Sequence, residues 1–123
     1  MNNQELIIHI CTRNAWKKAQ EQGNYRTPSL EIEGFIHCSR LDQLLEVANS
    51  IYQDIPDLIL LWIDSYKVNA DIKYELGSEG SNERYPHIYG SLNLDAVISI
   101  SDFAPGPDGV YQEVPEFVRT GKT

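Results

Sequence analysis

The sequence predicts an α+β domain, and three observations carry that prediction. Apolar and β-branched runs of strand length recur at residues 6–11, 34–38, 58–64, 72–76, 85–90 and 95–101, the run at 58–64 near-continuous and the others alternating. Two other stretches, 13–22 and 40–53, space their apolar residues at helical intervals. Glycine and proline punctuate the chain between these runs, and 123 residues suit one hydrophobic core rather than two. A single compact domain over residues 1–123 is expected, its last part, 104–123, a turn-rich tail.

The first strand is Leu6 to Cys11, with Ile7, His9 and Cys11 on one face and Ile8 and Ile10 on the other. Thr12 then caps a helix from Arg13 to Gln22, whose inner stripe is Ala15, Trp16 and Ala19 and whose stop is Gly23. Asn24 to Glu33 shows no sustained period and reads as a surface loop. In Gly34-Phe35-Ile36-His37-Cys38-Ser39 alternation places Phe35 and His37 on one face and Ile36 and Cys38 on the other. Ser39, with Asp42 three residues on, reads as the N-cap of the helix Arg40 to Gln53, in which Leu41, Leu44, Leu45, Ala48, Ile51 and Tyr52 fall on successive helical-face positions. A strand-to-helix junction of this kind leaves backbone N–H groups for an anionic or carbonyl ligand.

Asp54 to Asp57 ends that helix, and Leu58 to Asp64 follows as a near-continuous apolar run, expected at the centre of a sheet. Ile72, Tyr74 and Leu76 alternate with Lys73 and Glu75, a strand with one wet face. Gly77 to Arg84 is a polar surface loop. In Tyr85-Pro86-His87-Ile88-Tyr89-Gly90 the two phenols flank an imidazole on one face, and Pro86 holds Tyr85 extended. Asp95 to Ser101 is the last strand.

Composition removes some functions. The net charge is −8, with 18 acidic against 10 basic side chains, which repels a phosphate backbone and argues against extended nucleic-acid binding. No apolar run is long enough to span a bilayer, and Met1 to Glu5 lacks the features of a signal peptide, so no membrane association and a cytoplasmic setting are expected. Cys11 and Cys38 are then reduced thiols.

The chemistry gathers on the histidines. His9, His37 and His87 are the only three, and each lies in a strand, where imidazoles that titrate near neutrality can line one cleft. Glu75, held on a strand, is the carboxylate placed to act as acid, base or hydroxyl-positioning group, whereas Glu79 and Glu83 fall in the exposed loop. His9 and Cys11 share a face, but the compact spacings of a metal site are missing and no metal is expected. Cys38 is next to His37 yet faces the other way, so that imidazole does not activate it.

Together, Ile8-His9-Ile10 with Trp16, Gly34-Phe35-Ile36-His37-Cys38-Ser39, Tyr74-Glu75-Leu76 and Tyr85-Pro86-His87-Ile88-Tyr89-Gly90 resemble the bacterial family called domain of unknown function 952. That family is remotely similar to the ADP-ribosyltransferase and RNA 2′-phosphotransferase fold. The resemblance implies an ADP-ribosyltransferase-like architecture: a split, mixed β-sheet with two packed helices and a cleft for NAD or a related nucleotide. It implies catalytic roles for His9, His37 and Glu75, the histidines orienting ribose or phosphate and the carboxylate polarising a hydroxyl. Thr12, Tyr25, Ser39, Tyr85, His87 and Tyr89 would bind the ligand, with Tyr25 or Tyr89 stacking on a base or on nicotinamide. Ile10 stands where that fold commonly has glycine, and there is no Gly-rich phosphate loop. NAD is the leading candidate ligand, and the sequence points to no protein partner. The competing expectation is a non-catalytic ligand-sensing module on the same fold; in a third, the histidines are purely structural.

Overall fold

The computed structural model describes residues 5–77 and 82–117. Strand β1 (Leu6–Thr12) pairs with β4 (Leu58–Asp64), which pairs in turn with β8 (Val97–Phe103), in the order β1-β4-β8. All seven residues of β4 are buried, as its unbroken apolar run requires of a central strand. Alternation divides the core in two. Ile7, Cys11, Ile59, Leu61 and Ile63 project into one cluster, and Ile8, Ile10, Leu58, Leu60 and Trp62 into another.

Helix α1 (Arg13–Gln22) covers the first cluster through Trp16 and Ala19. Its ends are local: Thr12 Oγ1 accepts the Ala15 N–H at 3.1 Å, and Gly23, at φ 92°, donates its N–H to Ala19. Asn24 to Glu33 departs from the expected loop. Asn24–Tyr25 forms β2, and α2 (Pro28–Ile32) starts on a proline; both elements are too short to show a period.

Strand β3 (Ile36–His37) then begins a second sheet, completed by β5 (Asp71–Leu76) and β6 (Arg84–Tyr89) in the order β3-β6-β5. Between these, α3 (Leu44–Ile51) lays Leu44 and Ala48 on the second core cluster. The helical segment begins later than expected. Ser39 is not its cap: the Ser39 backbone N–H and C=O exchange hydrogen bonds with Ile8, both at 2.8 Å, which holds it extended. A 3₁₀ turn opens instead at Leu41, and Gln43 Oε1 accepts the Arg40 N–H.

The short β7 (Leu92–Asn93) pairs with β2, so the strands fall into three sheets. Every named pairing among the described residues is antiparallel, which corrects the expected mixed sheet. The reason is visible at Thr12, which lies opposite Leu58: the chain re-enters the central sheet at the end where β1 left it. The C-terminal segment is more than turns. Asn49 exchanges two hydrogen bonds with the Tyr111 backbone, and Tyr111 stacks on Phe103 at 4.5 Å in the second cluster. Among the described residues no helix is long and apolar enough to cross a membrane.

Candidate functional site

The outward face of β3-β6-β5 collects most of the predicted site. In this register His37 lies opposite His87, Lys73 flanks His87 on the other side, and Glu75 lies opposite Tyr85. The inward residues Ile36 and Ile88 are fully buried, and alternation places His37, His87 and Tyr89 on the opposite face, where His37 is exposed, Tyr89 half-buried and His87, stacked under Phe35, only 4% exposed. Phe35 stacks flat on His87 at 4.0 Å and meets the edge of His37 at 4.8 Å; the two imidazoles are 5.3 Å apart.

Each imidazole is held by a carboxylate. Glu75 Oε1 accepts the Tyr89 hydroxyl at 2.6 Å and His87 Nδ1–H at 2.8 Å. These two bonds, Tyr89 foremost, hold the Glu75 carboxyl below the usual carboxylate range. An ionised carboxylate only accepts, so the proton of neutral His87 is on Nδ1 and the lone pair on Nε2. Glu33 takes the opposite nitrogen of its partner, accepting from His37 Nε2. Lys73 places its ammonium 4.8 Å over the Tyr89 ring, and Tyr85 stands half-buried beside the cluster.

His9 does not join this face. Only 5% of it is exposed; Nδ1–H donates to the His37 carbonyl at 2.6 Å and Nε2 accepts the Tyr25 hydroxyl at 2.7 Å. Burial pulls its pKa down from 6.5 to about 4, a fall that the bond to His37 partly opposes. His9 is therefore neutral and acts from beneath, tying β1 to the backbone of β3. Tyr25 is buried with its hydroxyl engaged, so it is not free to stack on a base, and burial raises its phenol pKa. Burial lifts the Cys11 thiol pKa to about 11, a rise that the neighbouring Tyr25 hydroxyl partly opposes.

Thr12 caps α1, and Ser39 is 2% exposed with an Oγ that has no partner among the described residues. Glu79 lies outside the described residues, and Glu83 accepts from Gln43 at 3.0 Å rather than reaching the histidines. Sequence reasoning missed Glu33. Its link to His37 depends on Gly34, at φ 92°, turning the chain so that the carboxylate and the imidazole meet.

A concavity of about 540 Å³ lies elsewhere, between Ile55, Pro56, Phe103, Pro105 and Tyr111. Arg13 bridges Asp57 and Asp102 at its rim, but no imidazole enters it. His37 and His87 lie on the sheet face instead. Among the described residues no three His, Cys, Asp or Glu side chains are grouped so as to hold a metal ion.

An antiparallel α+β scaffold with two acid-held histidines on one sheet face, His37 exposed and His87 buried beneath Phe35, defines the class. The family described as Protein of unknown function (DUF952) matches residues 10–100, a span containing His37, Glu75 and His87, and the chain belongs to that family. It is similar to CC0527 from Caulobacter crescentus, whose crystal structure is 32% identical, with a TM-score of 0.77 over 87% of this chain and 93% of that one. The solution NMR structure of CC0527 gives a TM-score of 0.74 at the same identity, covering 87% of this chain and 91% of that one. No protein of curated function matches the chain.

Proposed function

We propose that the outward face of β3-β6-β5 binds NAD or a related nucleotide, and that the protein is an enzyme of the ADP-ribosyl-transfer type on an ADP-ribosyltransferase-like fold. The observation that carries this reading is the cluster in which Glu75 holds both His87 and Tyr89, with His37 and Phe35 alongside. The residues suit the nicotinamide–ribose end of such a ligand. Tyr89 and Phe35 offer aromatic surface, the carboxylates of Glu33 and Glu75 offer acceptors for hydroxyls, and Lys73 supplies a cation. His9 keeps a part in the site as the residue that fixes the His37 backbone, not as a ligand contact.

The test is the thermal midpoint with and without millimolar NAD, followed by an assay for nicotinamide release. A ligand at ~100 times its Kd stabilises the native state by roughly 2.7 kcal/mol, a rise of several degrees for a chain of this size. The rise is expected in the native protein and lost in His37→Gln and His87→Gln; no rise in the native protein contradicts the reading. One observation favours the non-catalytic sensing module instead: Glu75 Oε1 already accepts two hydrogen bonds. On that reading NAD binds and is recovered intact after long incubation.

A further inference from the structure

We infer that His87, not Glu75, is the proton acceptor of this site, that Glu75 is its positioning residue, and that the acceptor substrate is a hydroxyl compound, water included. The chemical step rests on the reading above; the assignment of the proton does not.

The Glu75 carboxylate bonds His87 Nδ1 at 2.8 Å, and one ring face is covered by Phe35 at 4.0 Å and an interplanar angle of 11°. The ring cannot swing or tilt without losing one of these contacts. Its Nε2 has no hydrogen-bond partner among the described residues, and 6% of the side chain remains accessible. A neutral imidazole whose Nδ1–H is held by a carboxylate presents the Nε2 lone pair in one fixed direction.

Glu75 is poorly suited to take a proton itself. Its Oε1 is shared by His87 and Tyr89, and protonating it would weaken both bonds. In the transfer step His87 Nε2 takes the O–H proton of the acceptor as its oxygen bonds to the ribose C1′. The C1′–N bond breaks, and its electron pair leaves with nicotinamide, which departs neutral. The imidazolium that results faces the Glu75 carboxylate, which stabilises it. An imidazole base matches a hydroxyl acceptor, whose proton must be removed as the new bond forms.

Long-range ¹H–¹⁵N NMR of the labelled protein reads the tautomer directly. In the neutral form, native His87 is expected to carry its proton on Nδ1. In Glu75→Gln the preference falls at least threefold toward a mixture of tautomers, while Tyr89→Phe, which spares the His87 bond, keeps it. His9, fixed by other partners, stays Nδ1–H in all three proteins and reports that each is folded. An Nε2–H tautomer in the native protein, or a His87 preference that Glu75→Gln leaves unchanged, overturns the proposal. So does equal loss in both variants. If the tautomers are as expected but NAD is not turned over, the transferase reading fails while the base assignment holds. If NAD is turned over, His87→Gln should lower kcat by roughly 10²–10⁴-fold, and an undiminished kcat overturns the assignment.

Discussion

Acidification from pH 7 to pH 5 should unfold this protein more readily through one residue, His9. Its pKa is 6.5 unperturbed and about 4 in the fold, where burial keeps it neutral between the His37 carbonyl and the Tyr25 hydroxyl. For a histidine with a depressed pKa, the unfolded chain binds more protons than the native state between those two values. Stability is therefore full above the unfolded pKa and is lost as the pH falls toward the folded one. At about 1.4 kcal/mol per pH unit, the step from pH 7 to pH 5 removes about 2 kcal/mol, a large part of the roughly 5–15 kcal/mol of a typical domain. Urea denaturation of the native protein and of His9→Gln at both pH values isolates this contribution. Glutamine can still donate to His37 and accept from Tyr25 but does not titrate, and the other ionisable groups are common to both proteins. The native protein should lose about 2 kcal/mol more than the variant over this interval. Equal losses would refute a buried neutral His9.

Three further outcomes follow from the same packing. Tyr25→Phe strands the His9 Nε2 acceptor in the core and should cost about 1–3 kcal/mol in urea denaturation. Gly90→Ala adds a Cβ 2.9 Å from that of Ala70, at a φ of 155° that L residues rarely adopt, and should lower stability by about 1–3 kcal/mol; an unchanged urea midpoint would contradict it. Cys11 and Cys38 are each 6% exposed, and burial raises both thiol pKa values, so a thiol reagent at pH 8 should react only as fast as the protein opens.

What could be read in the chain was what local chemistry decides. Thr12 and Gly23 mark both ends of α1 because capping needs only neighbouring residues, and the run Leu58–Asp64 identifies the central strand because two-sided burial demands it. Alternation likewise separated Phe35 and His37 from Ile36 and Cys38. The errors arose where distant segments decide. Ser39 has a cap's side chain, but pairing with Ile8 keeps its backbone in a strand-like bridge. His9 shares a face with Cys11 as period-2 spacing requires, yet no period tells whether that face meets water or the back of another sheet. Glu33 reaches His37 through a turn at Gly34, and β2 and β7 have two residues each, too few to leave a pattern.

The central claim is that ligand chemistry belongs to the β3-β6-β5 face. Titrating ¹⁵N-labelled protein with NAD and following backbone amides and histidine rings tests it most directly. The account predicts that shifts gather at Phe35, His37, Lys73, Glu75, His87 and Tyr89. Shifts confined to the concavity around Ile55, Phe103 and Tyr111, or none at saturating NAD, would contradict it.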